Sequence, residues 1–299
     1  MNFKLNQQIF SELYLNNEIE VFIKRLDLID PFISGNKLFK LKHNVDRALL
    51  EKKNMLITFG GAFSNHILAT AAYAKKKNID CLAIVRGEEY FELNPLLTLA
   101  KEYGMKFCFV SRKEYSKRND NNYVSELIRK YKKAFIVPEG GNNKLGVLGA
   151  EEILEKQDKS FDYIICPIGT GATLSGIVNS SKRTQKVIGI NCINDTKDIN
   201  KNISQKTNKN NWEIINEFNF GGFAKFDNLL TEYLKKFKLN YKITLDLNYT
   251  TKMFFGFEKL IEKKYFQRKS KVLLIHTGGT YGNLGFNYLY DLDLPYESN

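Results

Sequence analysis

Apolar residues in this chain gather in short runs, spaced far enough apart for a helix to fit between them. The clearest are MLITF (55–59), CLAIV (81–85), KFCFV (106–110), AFIVP (134–138), DYIICPI (162–168), KVIGINCI (186–193) and KVLLIHT (271–277). Runs of this length between helical spacers read as strands covered on both faces, which predicts an α/β fold with mainly parallel sheets. Helix punctuation agrees. In LNPLLTLAKEYG, Asn94 is a capping residue, Pro95 suits the first helical position and Gly104 suits the stop. Further upstream, KLFKLKHNVDRALLEKK places Leu38, Leu41, Val45 and Leu49 at spacings of three and four, an apolar stripe for packing on a sheet. The polar, Lys/Asn-rich stretch 195–211 reads as a surface helix or loop, and no internal repeat is present.

Composition narrows the class. A chain of 299 residues that is 43% apolar can build one large or two interleaved domains. No run approaches the roughly 20 apolar residues of a membrane span, and MNFKLNQQIF lacks the apolar centre of a secretory signal. Cys81, Cys108, Cys166 and Cys192 fall singly inside apolar runs, without CxxC spacing. These features predict a cytoplasmic protein with reduced thiols and no membrane partner. The net charge of +12 raises the question of nucleic acid, but it comes mostly from scattered lysines, while arginine, the better reader of phosphates and base edges, is scarce. The charge reads as solvated surface.

Four stretches put glycines and small polar residues directly after a predicted strand, where parallel sheets collect ligands. In GGAFSNHILATAAYA, Ser64, Asn65 and His66 open a helix of small residues. Such a start suits a carboxylate; the plainer alternative is that Ser64 or Asn65 merely caps it. In CPIGTGATLSG, residues Gly169, Thr170, Gly171, Ala172 and Thr173 can aim several N–H groups and two hydroxyls at one phosphate, or simply form a tight turn. Leu174 stands where a dinucleotide fingerprint needs glycine, and no Gly-Lys-Ser/Thr is present. HTGGTYGNLGF ends the last strand at Thr277, with His276 reading as a core histidine. In LDLNYTTKMFFGFEKL, Tyr249 and Thr250 precede an apolar helix. No histidine or cysteine spacing suggests a metal site. One more residue is out of place: Lys37, in ISGNKLFKLKHN, sits at a helix start, where a cation is disfavoured.

Together these pieces resemble the 1-aminocyclopropane-1-carboxylate deaminase and D-cysteine desulfhydrase family of pyridoxal-phosphate enzymes, of the tryptophan-synthase-β fold group (fold type II). The likeness is carried by RLDLIDPFISGNKLFKL, TFGGAFSNHILATAAYAKK, VPEGGNNKLGVLGAEEI, GTGATLSG, YTTKMFFG and IHTGG, in that order along nearly the whole chain. The resemblance implies that Lys37 carries the cofactor covalently, and a helix start eases this by disfavouring the ammonium form. It implies Lys40 near the cofactor phosphate, Gly169 to Thr173 around that phosphate, Asn65 against the ring and Thr277 facing the ring nitrogen. Ser64, with the N–H groups of Asn65 and His66, is implied to hold the substrate carboxylate, with Tyr249 and Thr250 beside the substrate. It further implies a large domain of residues 1–42 and 143–299, a small inserted domain of 43–142, and a homodimer acting on a small amino acid. Thr250 and Thr277 stand where the family's deaminases carry glutamate and leucine, as in the desulfhydrase branch. Phe223, in FGGFAKF, replaces a family tyrosine. The resulting expectation is a lyase releasing pyruvate, ammonia and sulfide from D-cysteine, with deamination of 1-aminocyclopropane-1-carboxylate or cofactor binding without significant turnover as alternatives.

Overall fold

The computed structural model describes residues 5–88, 92–194 and 197–296. Its strands are β1 (Asn6–Ile9), β2 (Glu20–Arg25), β3 (Met55–Gly61), β4 (Asp80–Arg86), β5 (Met105–Val110), β6 (Ala134–Val137), β7 (Tyr163–Ile168), β8 (Lys186–Asn191), β9 (Trp212–Ile215) and β10 (Lys271–His276). They form a six-stranded sheet in the order β1-β2-β10-β7-β8-β9 and a four-stranded sheet in the order β5-β4-β3-β6. Every pairing is parallel except β1 with β2. The larger sheet draws on both chain ends, because β2 and β10 pair in register from Glu20 with Lys271 to Arg25 with His276. The smaller sheet is built entirely from residues 55–137.

All seven apolar runs form strands; those inside the sheets are buried almost throughout, whereas the edge strands β5 and β6 are partly open. Three strands escape that reading. β2, EVFIKR, ends in two cations that are nonetheless buried, and β1 and β9 are short, half-polar edge strands. The apolar stripe of the helix Asn36–Leu50 also needs one correction: Leu41, Val45 and Ala48 are buried, whereas Leu49 is 43% exposed. A period of 3.6 residues carries the inward face from 41 through 45 to 48 and turns 49 outward. This helix joins the two sheets without a break. Its Leu41 and Val45 pack with the core of the smaller sheet, and Phe39 packs with the core of the larger.

In the polar stretch, residues 195 and 196 lie outside the described residues, and Lys197–Ser204 forms a helix. Ile199 and Ile203 bury its one apolar face.

Of the two β2 cations, Arg25 pairs with Asp27 at 2.7 Å and Lys24 is compensated by an acidic turn before β7. Lys24, 1% exposed, is held at 2.7 Å from Asp158, itself fully buried, and at 2.9 Å from Glu155. Asp158 also accepts from the Asn6 side chain at 2.6 Å and from the N–H of Glu155 at 2.8 Å. Removing one member leaves a buried charge with no counter-ion. Lys24→Met is therefore expected to lower unfolding free energy by about 3 kcal/mol in denaturant titration. Arg47→Gln, which breaks the exposed pair with Glu51, should stay within about 0.5 kcal/mol of the parent.

Candidate active site

Lys37 lies in the first turn of the helix Asn36–Leu50, after Gly35 at φ +66°. The turn is pressed onto the end of β10: a Cβ at Gly35 would sit 1.8 Å from the carbonyl oxygen of Thr277, and Asn36 donates its N–H to that oxygen. Only glycine fits there. The Lys37 amine donates to Asn36 Oδ1 at 2.9 Å, and the Asn36 amide donates in turn to Thr173 Oγ1 at 2.8 Å. Burial pulls the Lys37 pKa down to about 8, with the Asp246 carboxylate partly opposing it. At neutral pH roughly a tenth of such an amine is uncharged, several hundred times more than for an ordinary lysine.

The loop after β7 ends at Gly171, left-handed at φ +87°, and the helix Ala172–Ser180 follows. No side chain caps that helix, so the N–H groups of its first turn stay open. Gly140 and Gly141 close in from the other lobe; their missing side chains admit Thr170 and Lys40. Lys40 is 4% exposed, and its ammonium forms no hydrogen bond or ion pair among the described residues. Burial and the Lys37 charge hold its pKa well below the usual value. An uncompensated cation beside open N–H groups matches an anion. Ile203, from the polar stretch, covers Gly171 from behind.

Ser64 occupies the capping position of the helix Asn65–Lys76, yet its hydroxyl makes no cap hydrogen bond. The plain capping role is not realised, and the hydroxyl and first N–H groups remain open. Asn65 reaches across to the loop after β10, donating to the carbonyl of Gly279 at 2.7 Å. His66 turns away from the helix start: buried, it pairs through Nε2 with the Thr58 hydroxyl at 2.8 Å. Burial and the nearby Lys37 and Lys40 charges hold its ring well below the ordinary histidine range. What His66 offers at the helix start is its backbone N–H.

Tyr249 packs over Gly169, where a Cβ would meet its ring at 3.0 Å and its hydroxyl at 3.3 Å. Burial and then Asp246 raise its pKa, so the phenol keeps its proton. Thr250 does not join it. It is fully buried, and its hydroxyl lies 2.8 Å from Asp246 Oδ1 and 2.8 Å from the Asp246 N–H. Phe223 does stand beside Tyr249, ring centroids 6.2 Å apart. The Thr277 side chain is buried at the end of β10 with its hydroxyl unspent among the described residues. His276 is a core histidine, bonded to the Thr244 carbonyl at 2.8 Å and accepting the Gly278 N–H at 3.2 Å.

Asp246 is the residue the sequence did not announce. Buried, it accepts the N–H groups of Tyr249 and Thr250 at 2.9 Å each and is the shared electrostatic neighbour of Lys37 and Tyr249. Burial raises its pKa. The only sequence signal is an aspartate four residues before a threonine at a helix start.

A lysine with a lowered pKa next to an open-ended anion cup fits a ligand that is both an aldehyde and a phosphate ester. Known proteins give the same answer. The family described as "Pyridoxal-phosphate dependent enzyme" matches residues 10–278. A Thermotoga maritima protein provisionally named a 1-aminocyclopropane-1-carboxylate deaminase is 30% identical, the match covering 88% of this chain and 89% of that one. The bifunctional mitochondrial D-cysteine desulfhydrase/1-aminocyclopropane-1-carboxylate deaminase of Arabidopsis thaliana is 30% identical over 90% of this chain and 74% of its own. Among solved structures, a 1-aminocyclopropane-1-carboxylate deaminase homologue superposes with a TM-score of 0.81 at 25% identity, covering 96% of this chain and 93% of that one.

The Lys37 environment has a kinetic consequence. Capture of an aldehyde needs the neutral amine, so for the protein freed of bound aldehyde the rate of covalent capture of pyridoxal phosphate at Lys37 should climb about ten-fold per pH unit below pH 8 and level off above it. Stopped-flow absorbance at several pH values checks this. A rate still climbing ten-fold per unit beyond pH 9 would mean an ordinary lysine.

Proposed function

Because the chain belongs to the pyridoxal-phosphate-dependent enzymes, and within them to the 1-aminocyclopropane-1-carboxylate deaminase and D-cysteine desulfhydrase family, we infer that it is a lyase eliminating a β leaving group from a small amino acid, D-cysteine first. The observation that carries this reading is the chain of contacts from Lys37 through Asn36 to Thr173 and from Gly169 to the Tyr249 ring, beside the uncapped helix starts at Gly171 and Ser64. Pyridoxal phosphate, when bound, supplies the electron sink that makes the α-proton of an amino acid removable.

Everything else falls to this chain. Lys37 provides the covalent seat and, as a free amine with a pKa near neutrality, takes the proton from Cα. The first-turn N–H groups of residues 172 and 173, the Thr170 and Thr173 hydroxyls and the unpaired Lys40 ammonium hold the phosphate. Asn65, anchored by its bond to Gly279, would help to hold the cofactor. Thr277 would offer the bound cofactor a neutral hydroxyl in place of a carboxylate, which would suit elimination. Ser64 and the N–H groups of Asn65 and His66 orient the substrate carboxylate at a helix start. Tyr249, protonated throughout the working range, donates to the departing thiolate. Thr250 acts through Asp246, setting the helix start that aims Tyr249.

Two alternatives remain inside this site. Deamination of 1-aminocyclopropane-1-carboxylate is disfavoured by Phe223, whose phenyl ring beside Tyr249 cannot move a proton. The same ring supports a second reading, cofactor binding without significant turnover. Homodimer assembly and a cytoplasmic setting complete the proposal; among the described residues no helix is long and apolar enough to cross a membrane.

Incubation of the holoenzyme with D-cysteine should release sulfide and pyruvate in equal amounts, with a change in the visible spectrum. Lys37→Ala should lower turnover by at least about 100-fold. Production of 2-oxobutyrate from 1-aminocyclopropane-1-carboxylate, without sulfide from D-cysteine, would select the deaminase; a spectral change with no product would select the binder.

A further inference from the structure

The smaller sheet carries a second polar pocket that none of the proposed chemistry uses. It has a volume of about 300 Å³ and is lined by Arg86, Arg112, Tyr115, Ser116 and Arg118. The size is at the lower end for small-ligand sites, large enough for an oxyanion with a small organic body. Its position follows from the topology. Arg86 is the last residue of β4, Arg112 follows β5 by two residues, and the Arg86 guanidinium lies 3.5 Å from where a Gly61 side chain would begin at the end of β3. The pocket thus sits outside the carboxyl ends of parallel strands.

Three observations point to an anion. First, lysines outnumber arginines 37 to 8 in this chain, yet three of the eight arginines meet here. Guanidinium forks are the groups that bind carboxylate and phosphate through two parallel hydrogen bonds. Second, the charges do not balance. Among the described residues only Glu139 pairs with them, at 2.6 Å from Arg118 Nε, leaving two positive charges over. Third, Tyr115 is 3% exposed, and its hydroxyl has Glu139 beside it but no well-formed hydrogen bond. The neighbouring Glu139 carboxylate is engaged by Arg118 instead. The Arg118 and Arg86 guanidinium carbons lie 4.9 and 5.7 Å from the Tyr115 ring centroid, which gathers both charges around one side chain. A buried donor left unbonded is costly, and a bound oxyanion would satisfy it.

We propose that this pocket is a second binding site, taking a small multiply charged oxyanion, either a phosphate ester or a polycarboxylate. It is separate from the cup 169–173 and does not rest on the D-cysteine reading. Glu139 begins the turn whose Gly140 and Gly141 pack against Thr170 and Lys40, so the occupied pocket would lie one turn from the cofactor site.

The test is calorimetric titration of the holoenzyme, its cup already filled, with inorganic phosphate and separately with citrate at constant ionic strength. Saturable binding of about one anion per chain is expected, weakened at least ten-fold in the double variant Arg86→Gln/Arg112→Gln and several-fold in Tyr115→Phe. The double variant Lys113→Gln/Lys117→Gln, with the same change in net charge on the same segment, should bind like the parent. Binding of phosphate alone identifies a phosphate ester as the ligand class, binding of citrate alone a polycarboxylate, and binding of both a site for either. No saturable binding of either anion, or equal losses in the arginine and lysine variants, would overturn the proposal.

Discussion

The site depends on one close contact between the two ends of the chain. Where the helix of Lys37 begins, Gly35 lies directly on the Thr277 carbonyl, Asn36 donates its N–H to the same oxygen, and the Ser34 hydroxyl accepts the N–H of Gly279. No side chain larger than hydrogen fits at Gly35, and its positive φ excludes most other residues independently. The parallel pairing of β2 with β10 brings these segments together, and the buried Lys24–Asp158 pair ties β2 to the turn before β7. The lysine is therefore held to β10 through backbone rather than through long side chains.

Electrostatics in the cleft follow from that geometry. Lys37 and Lys40 lie one turn apart on a buried helix face; burial makes both harder to protonate, and the Lys37 charge adds to this for Lys40. Asp246 offsets part of this for Lys37 while raising the Tyr249 phenol. Burial thus holds the amine below its ordinary range while Asp246 partly opposes it, and burial together with Asp246 keeps the phenol protonated. The position of Asp246 is set by four hydrogen bonds within the turn 246–250.

Much of the fold was legible because buried parallel strands are written as uninterrupted apolar runs, and seven of them appear in order. β2 was not, because Lys24 and Arg25 end it in cations whose counter-ions, Asp158 and Asp27, lie elsewhere in the chain or around a turn. The cup and the Ser64 helix start were legible as glycine and small polar residues after strands, since those residue types leave backbone N–H groups open. Thr250 shows the opposite case. A hydroxyl next to an active-site tyrosine looks available in sequence, but here the local turn uses it on Asp246.

Residue order alone was enough to establish the α/β class and the family likeness, and to single out a candidate lysine and a candidate phosphate cup, because each rests on local spacing. Three-dimensional packing was needed to show that the Ser64 hydroxyl makes no capping bond, that His66 faces Thr58, that Asp246 acts electrostatically on both Lys37 and Tyr249, and that Arg86 shares one pocket with Arg112 and Arg118. The reason is physical: desolvation and Coulomb interaction depend on distances that sheet pairing sets between segments up to 250 residues apart, and no local pattern encodes them.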